Sequence, residues 1–257
     1  MRRLMFASAL LLTGCASQQI VGDQTTALQP DQGIAAVVLD APDRIRQVTY
    51  QARDPGGHDF EVPDTSGGAA LLLTPVKAGR YCLKHMKYGR IMFNSQGDIG
   101  CFSVVAGHIT YGGEIVPMFP SDTSPNAGPA VIDRRYDHHQ FSGLLQGFPT
   151  LSAAYPVAAA AAPPAGVEAA SADDELGFSY QNEKDGSQTM YVQNNTAWGM
   201  TLTHMRLYDC DNLAQSCADM PLNLALKPFE TRKVMTFTAA DKSGAFHYRF
   251  EYWSGEH

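Results

Sequence analysis

The sequence predicts an all-β protein of two β-sandwich modules joined by an Ala/Pro-rich linker. Short apolar runs recur between residues 33 and 148, and turn residues separate them. Residues 246–252 alternate aromatic with polar side chains, which is typical of a strand with one buried face. Residues 149–175 are rich in alanine, interrupted by proline, and lack a stripe of large apolar side chains. We therefore assign residues 33–148 to a first module with a trailing helix and residues 176–257 to an immunoglobulin-like second module.

Length and charge restrict the classes of function. The chain has 257 residues, which suits two domains of ordinary size, and 44% of them are hydrophobic. Lys and Arg number 19 against 26 Asp and Glu, so the formal net charge is −7. Binding to nucleic acid needs a basic face, and this balance therefore argues against nucleic acid as a partner.

Residues 1–14 have the pattern of a secretory signal peptide. Arg2 and Arg3 form a positive start, and the apolar run Leu4–Leu12 follows. This run is too short to span a membrane. A buried N-terminal helix is the alternative, but it leaves the residues that come next unexplained.

Those next residues, Leu12-Thr13-Gly14-Cys15, resemble the lipobox of bacterial lipoproteins. The resemblance implies cleavage before Cys15 and lipid attachment to its sulfur, and thus a membrane anchor. Ala16 and Ser17 follow where inner-membrane lipoproteins often carry Asp, so it further implies the outer membrane, facing the periplasm. The polar residues 15–32 are expected to form a flexible tether.

Four of the five cysteines remain once Cys15 is assigned to lipid. An even number in an oxidising compartment predicts disulfides, and four cysteines allow three connectivities. Local pairing, Cys82 with Cys101 and Cys210 with Cys217, keeps each bridge inside one module. Zinc is the alternative, but the spacings lack a Cys-x-x-Cys motif or a neighbouring pair of histidines. We expect structural disulfides and neither a metal nor another cofactor.

The first module is expected to be a sandwich of short strands with a weaker helical pattern after them, over residues 132–148. The strand candidates are Ile34–Leu39, Val48–Tyr50, Ala69–Leu73, Tyr81–Met86, Arg90–Phe93, Cys101–Val105 and Ile109–Tyr111.

Two stretches of this module, LTPVKAGRYCLKH and GCFSVVAGHITYGGEI, resemble a domain of uncharacterised bacterial lipoproteins with a fold like carboxypeptidase regulatory modules. The resemblance is carried by the turn before Tyr81, by Cys82 and Cys101, and by the Ala106-Gly107 turn with Tyr111 beyond it. It implies a β-sandwich at the cell envelope and no established activity.

The second module has no helical pattern, and its segment Leu226–Arg232 resembles a turn of immunoglobulin-like domains. Its strand candidates are Phe178–Tyr180, Thr189–Val192, Met200–Tyr208, Lys233–Thr238 and Phe246–Tyr252.

Motifs for catalysis are missing from the sequence: it has no GxSxG elbow, SxxK, HExxH or phosphate-binding loop. The most suggestive cluster, Asp133–His139, combines carboxylates, arginines and adjacent histidines. On a helix, neighbouring residues point about 100° apart, so the cluster supplies at most two metal ligands. We therefore expect a solvated helix face there and no catalytic residue. Trp198 is interpreted as a core residue, with an exposed recognition residue as the alternative.

These observations predict a lipid-anchored, non-enzymatic envelope protein with a scaffolding or protein-interaction role and a protein partner in the envelope. A module that binds glycan, peptidoglycan fragments or another small ligand through Trp198 or Trp253 is the first alternative. A metal-dependent hydrolase around Asp133–His139 is the second, weaker alternative.

Overall fold

The computed structural model describes residues 19–24, 26–41, 45–62, 65, 67–88, 91–95, 99–118, 131–161 and 165–256. These residues form fifteen strands and two short helices in several sheets, which confirms the all-β, sandwich-like class. One short helix was expected after the first module, and the structure has a second one directly behind it.

The first module contains two sheets packed face to face. One has the strand order β4-β1-β8-β9, with β1 parallel to β8, and the other has the order β3-β2-β5-β6, with β7 also paired to β5. The strands are β1 (Gln32–Ala41), β2 (Ile45–Ala52), β3 (Phe60–Val62), β4 (Gly68–Lys77), β5 (Gly79–Tyr88), β6 (Ile91–Asn94), β7 (Phe102–Val104), β8 (Ile109–Met118) and β9 (Val131–Arg135).

Aromatic side chains fill the space between these two sheets. Tyr50 stacks on Phe60 with ring centroids 5.0 Å apart, and Tyr50 and Phe102 meet edge to face at 5.4 Å. Tyr81 completes the group against Phe60. All four rings are buried, so this cluster is the centre of the module's core.

The outer face of the β4-β1-β8-β9 sheet is covered by helices α1 (His138–Leu145) and α2 (Pro149–Ala154) and by the described part of residues 19–32. Ile20 is buried there, and its N–H donates to the Leu73 carbonyl at 2.8 Å. The flexible tether expected over residues 15–32 is therefore not what the described residues among 19–32 show. Ile20 and Leu28 are apolar and pack on this face.

Parts of the predicted linker, residues 149–161 and 165–175, also contact folded structure. Helix α2 falls inside it, and Val157 forms a parallel bridge with Ile109 of β8. Further along, the Ala161 N–H donates to the Phe229 carbonyl at 3.4 Å. This segment has no stripe of large apolar side chains that could pack on a sheet. Its small alanine side chains instead let the backbone come close enough to form hydrogen bonds.

The second module is a sandwich of two three-stranded sheets with the orders β10-β11-β14 and β13-β12-β15. Its strands are β10 (Leu176–Asn182), β11 (Gln188–Asn194), β12 (Met200–Asp211), β13 (Asp219–Leu226), β14 (Thr231–Phe237) and β15 (His247–Glu256). Strand β13 was not among the predicted strands. All pairings in this module are antiparallel.

The two modules share one continuous core. The buried cluster that contains Tyr50 and Phe102 extends to Trp198, Met200 and Leu202 of the second module. A backbone hydrogen bond also crosses the boundary, from the N–H of Ser103 to the carbonyl of Ala197 at 2.8 Å. The modules are therefore docked on each other.

Candidate functional site

The cysteine pairs form as the local pairing predicted. Cys82 bonds to Cys101 within the first module, and Cys210 bonds to Cys217 within the second. Cys82 is completely buried, so the first bridge is a structural one. The lipid-attachment residue, Cys15, lies outside the described residues, as does the rest of the lipobox.

The cluster Asp133–His139 does not form the single helix face that was expected. Asp133 belongs to strand β9, where it pairs with Val116 of β8. Asp137 then ends the extended backbone, and its carboxylate accepts the Gln140 N–H at 2.7 Å as the N-cap of helix α1. The first residues of the cluster therefore belong to a sheet, and Asp137 caps a helix.

The two histidines of that cluster face the chain that enters the second module. His138 and His139 place ring nitrogens 3.9 Å and 3.5 Å from one carboxylate oxygen of Asp173. Among the described residues, no group of three or more His, Cys, Asp and Glu side chains is arranged to hold a metal ion. The described residues of the Asp133–His139 cluster therefore do not bring three such ligands together.

Arg134 connects the modules at their boundary. Its side chain is only 6% exposed, and its guanidinium lies 4.0 Å from the centre of the Trp198 ring. One nitrogen donates to the Cys101 carbonyl at 2.7 Å, and Nε donates to Glu256 at 3.1 Å. Trp198 is 2% exposed and is therefore a core residue. This excludes the alternative in which its ring is an exposed recognition surface.

The other tryptophan is different. Trp253 is 41% exposed and stacks on His204 with ring centroids 4.2 Å apart, on the outer face of the sheet. Of the two tryptophans, only Trp253 is exposed enough to contact a glycan.

A groove of about 770 Å³ lies between β10 and β15. We call it the β10–β15 groove. Its lining includes Tyr180, Gln188, Phe246, Tyr248 and Phe250. Strand β15 is at the end of its sheet, paired with β12 on one side and with no described strand on the other. The groove lies between the two facing sheets, next to the first half of β15.

The aromatic side chains of β15 explain the shape of this groove. Tyr248 lies against Phe237 at 4.3 Å between ring centroids, and Phe250 and Tyr252 lie against Phe178 of β10 at 5.0 and 4.8 Å. These β15 rings point toward the facing sheet, yet none is buried and Tyr252 is 37% exposed. Among the described residues, the core of the module is thus left partly uncovered along this edge.

Hydrogen bonds fix the hydroxyl groups in the groove. The Tyr248 hydroxyl donates to the Gln188 side-chain oxygen at 2.9 Å. Burial raises the pKa of Tyr180 to about 12. Burial, and to a smaller extent the neighbouring Tyr180, also raises the pKa of Tyr248. Both phenols are therefore protonated at neutral pH, so they serve as hydrogen-bonding groups. An aromatic wall beside free backbone groups is suited to binding an extended peptide.

One half of this site is predictable from the sequence. The alternation in residues 246–252 predicted a strand with a buried aromatic face, and β15 has that face. It did not reveal that the strand lies at a sheet edge, because strand order depends on contacts distant in sequence. Strand β13 was missed although Met220, Leu222 and Leu224 alternate there, since Pro221 interrupts the strand pattern.

Comparison with protein-family models and with curated proteins finds no match to this chain. The resemblance of the first module to a lipoprotein domain therefore stays a prediction. Within the described part of the chain, no helix has the length and apolarity needed to cross a membrane.

Proposed function

We propose that this protein is a lipid-anchored, non-enzymatic envelope protein that binds another polypeptide at the free edge of β15. The anchor is inferred from Arg2, Arg3, the apolar run after them and Cys15 in its lipobox-like setting. The inferred location is the outer membrane, facing the periplasm. The proposed role is a scaffolding one, in which the docked modules present the β10–β15 groove to a partner.

The observation that carries this proposal is the contrast between β15 and the other sheet edges of the second module. Strand β13 carries Pro221, and β14 carries Arg232 and Lys233. Both devices discourage pairing with a further strand. The start of β10 is covered by the preceding chain, since a Cβ on Gly177 would lie 2.6 Å from the Ser171 carbonyl oxygen.

Strand β15 is ten residues long and contains neither the proline of β13 nor the adjacent pair of basic residues of β14. Its charged side chains are Arg249, Glu251 and Glu256. Its backbone edge adjoins half-exposed aromatic rings, so an added strand would gain both main-chain hydrogen bonds and apolar contact. This combination is how strand addition recognises extended peptides.

In-cell crosslinking of the tagged full chain, followed by mass spectrometry, tests the proposal. In the variant Tyr252→Lys, a charge stands at the uncovered edge, and we expect crosslinks to the protein partner to be lost. The control is Met118→Lys, because Met118 is a similarly exposed apolar residue, 48% against 37%, on the first module. Equal crosslinking of both variants and the wild type would contradict binding at this edge.

A glycan platform at Trp253 is the second candidate, favoured by the exposure of that ring. Titration of the purified chain with muropeptides, followed by tryptophan fluorescence, checks it. A saturable change that disappears in Trp253→Ala would support the glycan platform. No response across the muropeptides would remove it.

A further inference from the structure

We infer that the polypeptide bound at the β15 edge is a second copy of this chain, paired antiparallel through β15 itself. The inference rests on the proposed function, because it names the partner of the same edge. It is carried by residues 248–252 of β15, Tyr-Arg-Phe-Glu-Tyr, whose order is the same from either end except that Arg249 and Glu251 exchange places.

The reading is centred on Phe250. On one side of it come Arg249 and Tyr248, and on the other come Glu251 and Tyr252. In an antiparallel pair centred on Phe250, each residue faces the one equally far beyond the centre on the other strand. Arg249 then faces Glu251 of the second copy, and Tyr248 faces its Tyr252. Each contact occurs twice because a two-fold axis relates the copies.

Both kinds of contact are favourable for a sheet. Opposite charges and aromatic pairs that face each other directly stabilise antiparallel strands. Arg249 and Glu251 are exposed on the outer face, and the Arg249 guanidinium already lies 3.5 Å from Asp209 in a pair where both side chains are largely exposed. No buried interaction must be broken for Arg249 to reach across to the second copy.

Other registers lose this complementarity. Centring the pair on Arg249 or on Glu251 places that charge opposite itself. A shift by an odd number of residues between the strands turns the aromatic face of one copy toward the outer face of the other. The charge pattern therefore selects the register centred on Phe250.

The aromatic face gives the dimer a hydrophobic contribution as well. The core-facing rings of β15 are uncovered along this edge in one copy. With the two-fold axis perpendicular to the sheet, both aromatic faces lie on the same side. The rings of one copy then lie beside those of the other, and the sheet continues as β13-β12-β15 followed by β15-β12-β13 of the second copy. Anchoring both copies to one membrane raises their effective concentration, so even modest affinity suffices.

Co-purification of two differently tagged full-length copies from detergent extracts tests the inference. We expect wild-type copies to co-purify. In Arg249→Glu, acidic residues face each other twice, and in Glu251→Arg basic residues do. Each variant alone is therefore expected to lose co-purification about tenfold or more.

Charge exchange supplies the matched controls. Arg249→Glu in one copy and Glu251→Arg in the other restores opposite charges across the pair, so we expect these two variants to co-purify with each other. The double variant Arg249→Glu/Glu251→Arg is expected to recover self-association. Recovery also shows that the single variants fold.

Each remaining outcome overturns the inference. Wild-type copies that do not co-purify exclude the dimer, and single variants that co-purify like the wild type place the interface elsewhere. If the dimer is absent while crosslinks to a different envelope protein are lost in Tyr252→Lys, the edge binds that protein and the proposed function stands without the dimer. If neither association is found, both proposals fall.

Discussion

Replacing Arg134 with alanine tests how strongly the two modules are held together. The guanidinium contacts both modules. It donates to the Cys101 carbonyl in the first module, and it lies over the Trp198 ring and donates to Glu256 in the second. Arg134→Ala removes all three contacts and leaves the Cys101 carbonyl and the face of Trp198 without this partner.

The size of the effect follows from these contacts. A desolvated cation–π contact contributes about 1–2 kcal/mol, and a hydrogen bond from a charged donor contributes about 1.5–3 kcal/mol. The ion pair adds little, because Glu256 is 42% exposed and water screens it. Contacts made by one side chain are not additive, so we expect Arg134→Ala to lower the free energy of unfolding by about 3 kcal/mol.

Urea unfolding of the full chain, followed by tryptophan fluorescence, measures this loss. Arg135 supplies the control, since it is the neighbouring arginine on the same strand and is largely exposed, paired with Asp133 at 2.8 Å. We expect Arg135→Ala to leave the unfolding midpoint unchanged. Arg134→Lys should be intermediate, because an ammonium keeps the charge and loses the planar stacking on Trp198.

If the two alanine variants unfold at the same urea concentration, the contacts of Arg134 contribute nothing beyond those of an exposed arginine. A further check comes from fluorescence of the folded state. Removing the cation from Trp198 should change its emission in Arg134→Ala and leave it unchanged in Arg135→Ala.

Three other predictions concern stability and pH. Replacing Cys82 and Cys101 by serine opens a loop with a sequence separation of 19, and we expect urea unfolding to show a loss of about 3 kcal/mol; an unchanged midpoint would contradict this. Burial of the Glu114 side chain, and next the negative charge of Asp40, raises the pKa of the Glu114 carboxyl group. The free energy of unfolding therefore falls as the pH rises through that pKa. Glu114→Gln should therefore be more stable than the wild type at neutral pH and equal to it in acid, as thermal melts across pH would show. The Thr150 side chain of helix α2, and then the N–H groups of Thr150 and Leu151, donate hydrogen bonds to Asp23 and lower the pKa of its carboxyl group. Asp23 therefore stabilises the fold at neutral pH, and this stabilisation is lost as the pH falls through the lowered pKa. Amide hydrogen exchange over helix α2 should be faster in Asp23→Ala than in the wild type at neutral pH, and equal rates would show that the cap is unimportant.

The parts of the fold that the sequence predicted are those set by local pattern. Alternation identified β15, and an apolar run identified β1. The spacing of cysteines within each module was enough to predict the pairing of Cys82 with Cys101. Side-chain period and loop closure act over a few residues, so they are visible without knowledge of the rest of the chain.

The parts that were not predicted depend on distant partners. Residues 132–148 read as a weak helix, but their first part is strand β9, because β8 offers an edge with which it can pair. The alanine-rich segment read as a free linker, but its backbone bonds to Ile109 and Phe229. The candidate site belongs to the same group. An uncovered edge is a property of strand order, and no local pattern reports it.

The continuous core around Trp198 limits how the two modules can be separated in evolution or by truncation. A module that folds alone can be duplicated, exchanged between genes or cut free without damage to its neighbour. Here Trp198 and Met200 belong to the same buried cluster as Tyr50 and Phe102 of the first module. Separating the halves would expose that surface on both of them. We therefore expect selection to transmit the two sandwiches as one unit, and point substitutions to be more informative than deletion of either half.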